Sequence, residues 1–278
     1  MGKITDSRLR HLQLLLAGLM AVPVLLNLAA CAGGAGAQGQ ATPRADIVTA
    51  SDEPDGRRRA RIRLELAVGY FEEGQTTVAL DELKQALTAD PNFGEAYNLR
   101  GLVYMRLNDV RLAEDSFKRA TALTPGDSNV HHNYGWLLCQ QGRYEESTRL
   151  FAQALGNPQY GDRPKTLMTQ GLCQIKEGRT AEAELSLTRS YELDASNPIT
   201  GYNLSSLLFQ RGESVRAQFY IRRINNSESA NAESLWLGIK VERRLNNRDA
   251  VDQLSGQLRK RFPRSQELAH YDRGAFDE

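Results

Sequence analysis

The stretch Gly94–Asp127 reads GEAYNLRGLVYMRLNDVRLAEDSFKRATALTPGD, and its internal spacing decides the fold. Counting Gly94 as position 1, Tyr97 stands at 4, Gly101 at 8, Tyr104 at 11, Asn108 at 15, Ala113 at 20, Phe117 at 24, Ala120 at 27 and Pro125 at 32. The halves on either side of Asn108 read as the two helices of a hairpin. Gly101 and Ala113 are small where those helices are expected to touch backbone to backbone, and a larger side chain there would cost roughly 1 to 3 kcal/mol. Tyr97, Tyr104 and Phe117 fill the space around that contact. Asn108 suits the turn, because Asn tolerates left-handed backbone better than most residues. Pro125 stops the second helix, since it can neither donate the next backbone bond nor fit behind the preceding carbonyl.

The same template fits the neighbouring sequence, which is the test of a repeat. Upstream, Ala60–Phe93 supplies Ala67, Tyr70, Gly74, Ala79, Leu83, Ala86 and Pro91. Downstream, a unit from Ser128 supplies Gly135, Leu138, Gly142, Ser147, Phe151 and Ala154, then runs about two residues long through Arg163. A fourth, from Pro164, supplies Gly171, Gly178, Ala183, Leu187 and Ser190; a fifth, from Pro198, supplies Ser205, Leu208, Gly212, Ala217 and Ile221. A sixth, from about Asn231, keeps Leu237, Gly238, Ala250 and Leu254 but has Gln257 where Ala is expected. The units fall at 60–93, 94–127, 128–163, 164–197, 198–230 and 231–264, followed by a tail, 265–278, with no motif of its own. The pattern resembles the tetratricopeptide repeat. That resemblance implies an all-α, right-handed superhelical solenoid in which each hairpin packs only on its neighbours.

The first 30 residues read as an export signal. Lys3, Arg8 and Arg10 precede Leu14–Leu26, a stretch with no polar side chain that is short for a bilayer span and right for a signal peptide's apolar region. Leu28-Ala29-Ala30-Cys31 follows and resembles the bacterial lipobox, which implies cleavage before a lipid-modified Cys31. The alternatives are an ordinary secretory signal or an uncleaved anchor. Ala32 rather than Asp after the cysteine resembles the sorting signal for the outer membrane, on its periplasmic face. Residues 31–59 are read as a linker, because Gly, Ala, Gln, Thr, Ser and Pro cannot bury enough apolar surface to fold. At its end Arg57, Arg58, Arg59, Arg61 and Arg63 form a basic cluster, read as a solvated face of the first helix. With 35 Lys and Arg against 34 Asp and Glu, the whole chain gives no electrostatic reason to expect a nucleic-acid partner.

In tetratricopeptide arrays positions 2, 5, 9 and 12 of each first helix face inward. Here they are Arg61, Leu64, Val68 and Phe71; Glu95, Asn98, Leu102 and Met105; Asn129, His132, Trp136 and Cys139; Lys165, Met168, Leu172 and Ile175. The candidate protein-binding groove is Leu64, Val68, Phe71, Asn98, Leu102, Met105, Asn129, His132, Trp136 and Met168, an apolar floor with a few polar groups, suited to a peptide or helix. Trp136 is the expected anchor, since large aromatics dominate interface energetics. The competing reading is that several of these residues are core. The two or three inner-face cations that clamp a peptide carboxylate are absent from positions 5 and 9 of the first two units, which hold Leu64, Val68, Asn98 and Leu102.

The run His131-His132-Asn133-Tyr134-Gly135-Trp136-Leu137-Leu138-Cys139-Gln140-Gln141-Gly142-Arg143-Tyr144, together with the lipobox, the linker and six repeats, resembles the PilF/PilW family of type IV pilus biogenesis and stability lipoproteins. The resemblance covers Leu28 to about Pro263. It implies a non-enzymatic pilotin, a protein that brings the pilus secretin to the outer membrane and promotes its multimerisation. The runner-up is a lipoprotein adaptor of the same architecture serving outer-membrane barrel assembly or cell-wall hydrolases. No cofactor, metal site, catalytic residue or small-molecule substrate is expected: His131 and His132 point about 100° apart on a helix and lack a partner at i+4. Cys139 and Cys173 stand on first helices of adjacent repeats, so in an oxidising compartment they form either a disulfide or two buried free thiols. Spacing alone leaves both open.

Overall fold

The computed structural model describes Thr49 and residues 52–276. The export signal, Cys31 and the linker as far as residue 48 lie outside the described residues, as do Asp277 and Glu278. Among the described residues the chain forms thirteen helices: α1 (Asp55–Glu72), α2 (Thr76–Ala89), α3 (Gly94–Arg106), α4 (Val110–Leu123), α5 (Ser128–Gln140), α6 (Tyr144–Leu155), α7 (Arg163–Glu177), α8 (Thr180–Leu193), α9 (Pro198–Gln210), α10 (Ser214–Asn225), α11 (Ala232–Arg244), α12 (Arg248–Arg261) and α13 (Gln266–Arg273). They pair in chain order, α1 with α2 through α11 with α12, and each pair packs on the next. The result is an all-α repeat solenoid.

Two steric requirements build each hairpin. The first is a left-handed turn residue: Gly74, Asn108, Gly142, Gly178, Gly212 and Asn246 have φ between 57° and 85°. Only a residue without Cβ, or with a short polar side chain, adopts that region readily. The second is a close floor. Ala79, Leu83 and Ala86, then Ala113, Phe117 and Ala120, Ser147, Phe151 and Ala154, and Ala183, Leu187 and Ser190 are all inaccessible to solvent.

The crossing itself differs in detail from the backbone contact expected at Gly101. A Cβ on Gly101 would meet the Phe117 ring at 2.6 Å, so this glycine makes room for a side chain. Backbone is also close at Gly135 and Gly171, where an added Cβ would lie 3.3 Å from the carbonyls of Ser147 and Ala183. Where Ser replaces Ala or Gly, the hydroxyl bridges that same gap. Ser147 donates to the Gly135 carbonyl at 2.7 Å, and Ser205 donates to the Ala217 carbonyl at 2.9 Å. No buried hydroxyl is left orphaned by these replacements.

Three segments depart from the template. Helix α1 begins at Asp55, so residues 55–59 are helix rather than linker. Gly56 permits this, because a Cβ there would meet the Ala89 carbonyl at 2.7 Å. The arginines of this turn pair with acids: Arg57 bonds Asp90 and covers the Phe93 ring at 4.5 Å, Arg61 pairs with Glu53 and Glu65, and Arg63 with Glu82. The sixth hairpin starts at Ala232, because Asn231 is its N-cap and exchanges hydrogen bonds with Ser234. That one-residue shift puts the fully buried Leu258 where the count from Asn231 put Gln257. The tail contains a helix, α13, which packs back on α11. It buries Leu268 and brings Phe276 to 5.2 Å from the Trp236 ring, centroid to centroid.

Candidate protein-binding groove

The inward positions of α1, α3, α5 and α7 form a strip whose residues are held by the core beneath. Leu64, Phe71 and Leu102 pack half-buried against the first core cluster, which Ala67, Leu83 and Val103 help to form. Leu102 and Met105 pack against the next, around Phe117 and Leu138. Trp136 lies against Cys139, Phe151 and Cys173, and Met168 against the cluster that continues through α9 and α10. Val68 is 38% exposed. Asn129 is exposed at the start of α5, and the Asn98 side-chain oxygen accepts a hydrogen bond from Asn133 Nδ2 at 3.1 Å. Side chains anchored on one face and solvated on the other lose little freedom when a partner docks, which favours affinity.

His132 is not part of this strip. It is 5% exposed, and its Nδ1 lies 2.8 Å from Thr166 Oγ1, whose hydroxyl donates to the Tyr160 oxygen at 3.1 Å. Tyr160 comes from the lengthened connection before α7 and is itself buried. The extra residues of the third unit thus supply a polar partner that draws His132 inward, between the third and fourth repeats. Burial, with Lys165 nearby, pushes the imidazole down to about 4, so the ring is neutral at physiological pH.

Cys139 and Cys173 are joined as a disulfide, with their Cα atoms 5.9 Å apart. The bridge staples α5 to α7 beside Trp136. Among the described residues, no group of three or more His, Cys, Asp or Glu is placed to hold a metal ion.

A row of cations on the rings of the inner face went unread in the sequence. Arg106 lies 3.9 Å from the Phe71 ring centroid and donates to the Phe71 carbonyl. Lys176 lies 5.1 Å from the Trp136 ring, and Arg244 lies 5.0 Å from the ring of Phe209. A signal was present: Phe71 and Phe209 stand at position 12, and each is followed 35 residues later by an arginine at position 13 of the next repeat. Each such contact is worth about 0.5 to 1 kcal/mol where exposed. Together they set positive charge beside apolar surface.

Residues 64–128 and 116–148 match family models described as tetratricopeptide repeat. Over 217 residues the chain is 28% identical to the type IV pilus assembly protein PilF of Pseudomonas aeruginosa, covering 78% of this chain and 86% of that one. The fold matches the crystal structure of PilW, a widely conserved type IV pilus biogenesis factor, with a TM-score of 0.70 and 29% identity over 76% of this chain and 97% of the other. Against the solved structure of Pseudomonas aeruginosa PilF the TM-score is 0.71, with 28% identity over 79% and 99% of the two chains. The likeness therefore runs along the whole array rather than through one hairpin. The chain is a tetratricopeptide-repeat protein homologous to PilF and PilW.

Proposed function

We propose that this protein serves type IV pilus biogenesis as a pilotin: a lipoprotein held through Cys31 on the periplasmic face of the outer membrane, whose inner strip binds the pilus secretin subunit. The observation that carries this reading is the similarity to PilF and PilW over nearly the full length of both solved chains. The strip supports it. A half-buried apolar floor with Trp136 near its centre and cations at its edge suits a short amphipathic segment of a partner. The anchor and linker add local concentration, so that subunits captured on the strip meet one another at the membrane rather than in bulk.

The test measures secretin multimers in the outer-membrane fraction of cells with the native gene, without it, and with Cys31→Ser or Trp136→Ala. Multimers should be lost, or stranded in the inner membrane, without the gene and with Cys31→Ser. Trp136→Ala should weaken secretin binding by roughly 2 kcal/mol, about thirtyfold in Kd, with helix content unchanged. Normal outer-membrane rings in cells lacking the gene would overturn the reading and point to another client for the groove.

A further inference from the structure

The inner face does not end at the fourth repeat. Between α9, α11 and the C-terminal segment lies a cleft of about 490 Å³ lined by Tyr202, Phe209, Trp236, Lys240, Arg244 and Phe276. Tyr202 and Phe209 occupy inward positions 5 and 12 of the fifth repeat, and Trp236 and Lys240 occupy positions 5 and 9 of the sixth counted from Ala232, so the cleft continues the face that bears Trp136.

Its chemistry is a ring set paired with a cation set. Arg244 lies 5.0 Å from the Phe209 ring, Lys240 5.5 Å from Trp236 and Arg243 3.7 Å from Phe276. The three cations fall in the C-terminal half of α11, whereas Glu233 lies in its first turn. Glu233 and Glu267 also line the cleft. One ring is already occupied from within the chain, since Phe276 stacks on Trp236 at 5.2 Å. In the sequence Phe276 is followed by Asp277 and Glu278.

We propose that this cleft is a second peptide site, taking a partner segment in which an aromatic side chain is followed by carboxylates, with Phe276 as the resident stand-in. The aromatic side chain displaces Phe276 from Trp236, and the carboxylates meet Lys240 and Arg244. Glu233 and Glu267 repel an acid placed at the opposite end, which sets the direction in which the segment lies. The site stands independently of the pilotin reading, because it rests on repeats five and six and the segment that follows them, not on the strip around Trp136.

The probe is a fluorescein-labelled pentapeptide, Gly-Ala-Phe-Asp-Glu, followed by anisotropy against the full chain carrying Cys31→Ser. Because the native Phe276 competes for Trp236, adding Phe276→Ala should tighten binding about tenfold. Lys240→Gln with Arg244→Gln in that background should remove the gain. The amide peptide Gly-Ala-Phe-Asn-Gln, tested on the same Phe276→Ala protein, should bind about tenfold more weakly, and less so as salt rises. This comparison uses one protein, so it does not depend on how the cation variants fold. No saturable binding to the Phe276→Ala chain, or equal binding of the acidic and amide peptides, would overturn the proposal.

Discussion

Removing the Cys139–Cys173 bridge should divide the array at its middle. The bond joins α5 to α7 across a sequence separation of 34. Closing a loop of that length restricts the unfolded chain and contributes about 4 kcal/mol on entropic grounds. The location amplifies the effect. The buried apolar cluster at this junction has three members, of which two are the halves of the cystine and the third is Phe151. Several other buried side chains of these repeats are polar, His132, Ser147, Thr166 and Gln174 among them, alongside the apolar Val130, Ala154, Tyr160 and Leu167. Stability in a repeat array is close to a sum of unit and nearest-neighbour terms, so loss of the covalent link falls mainly on this one junction. The perturbation is Cys139→Ala with Cys173→Ala, and the assay is equilibrium urea unfolding. The chain's 2 tryptophans serve as positional reporters, Trp136 in the third repeat and Trp236 in the sixth, isolated in turn by Trp236→Phe and Trp136→Phe. With the bridge intact the two reporters should share one midpoint. Without it, stability should fall by about 4 kcal/mol and the two midpoints should separate. An unchanged midpoint, or a lowered one at which both reporters still unfold together, would refute the view that this junction is the weak link.

Two further outcomes follow from side chains with definite surroundings. His132 has its folded value pushed to about 4, against an ordinary 6.5, chiefly by burial. Since protonation then favours the unfolded chain, its contribution is at its full value above pH 6.5 and is lost as the pH falls towards 4, by about 3 kcal/mol. Urea midpoints at pH 7 and pH 4.5 should therefore differ less in His132→Gln than in the native protein; equal pH sensitivity would remove His132 as the cause. Gly101→Ala and Gly256→Ala should move thermal stability in opposite directions. The first drives a Cβ to within 2.6 Å of the Phe117 ring and should cost roughly 1 to 3 kcal/mol, whereas the second meets nothing within 4 Å on α12 and should gain about 0.5 to 1 kcal/mol. Calorimetry that shows the same sign for both would contradict the crossing geometry described for Gly101.

What was legible in the sequence was whatever one residue can settle alone. A left-handed turn demands a particular backbone, and Asn108 supplies it; a fully enclosed floor demands a particular size, and Ala113 with Phe117 supplies that. An inward-pointing residue is different, because it can serve either a ligand or the next repeat, and the outcome depends on side chains some 30 residues away. His132 and Trp136 show this on one helix turn. Both stand at inward positions of α5, but the lengthened connection before α7 brought Thr166 and Tyr160 to His132, while Trp136 kept one face open beside Lys176. The tail was illegible for a related reason. Leu268, Tyr271 and Phe276 match no position of the template, so a search by repeat spacing passes over them. Their partner, however, is at a template position: Trp236 faces inward on the sixth repeat, beyond which the described residues form the single helix α13 rather than another hairpin. A large aromatic there needs a cover, and the chain that follows it is the nearest source of one. Trp136, in an internal repeat, receives no such cover from the tail. That contrast is the physical reason to choose Trp136 for testing secretin binding and Trp236 for testing competition with Phe276.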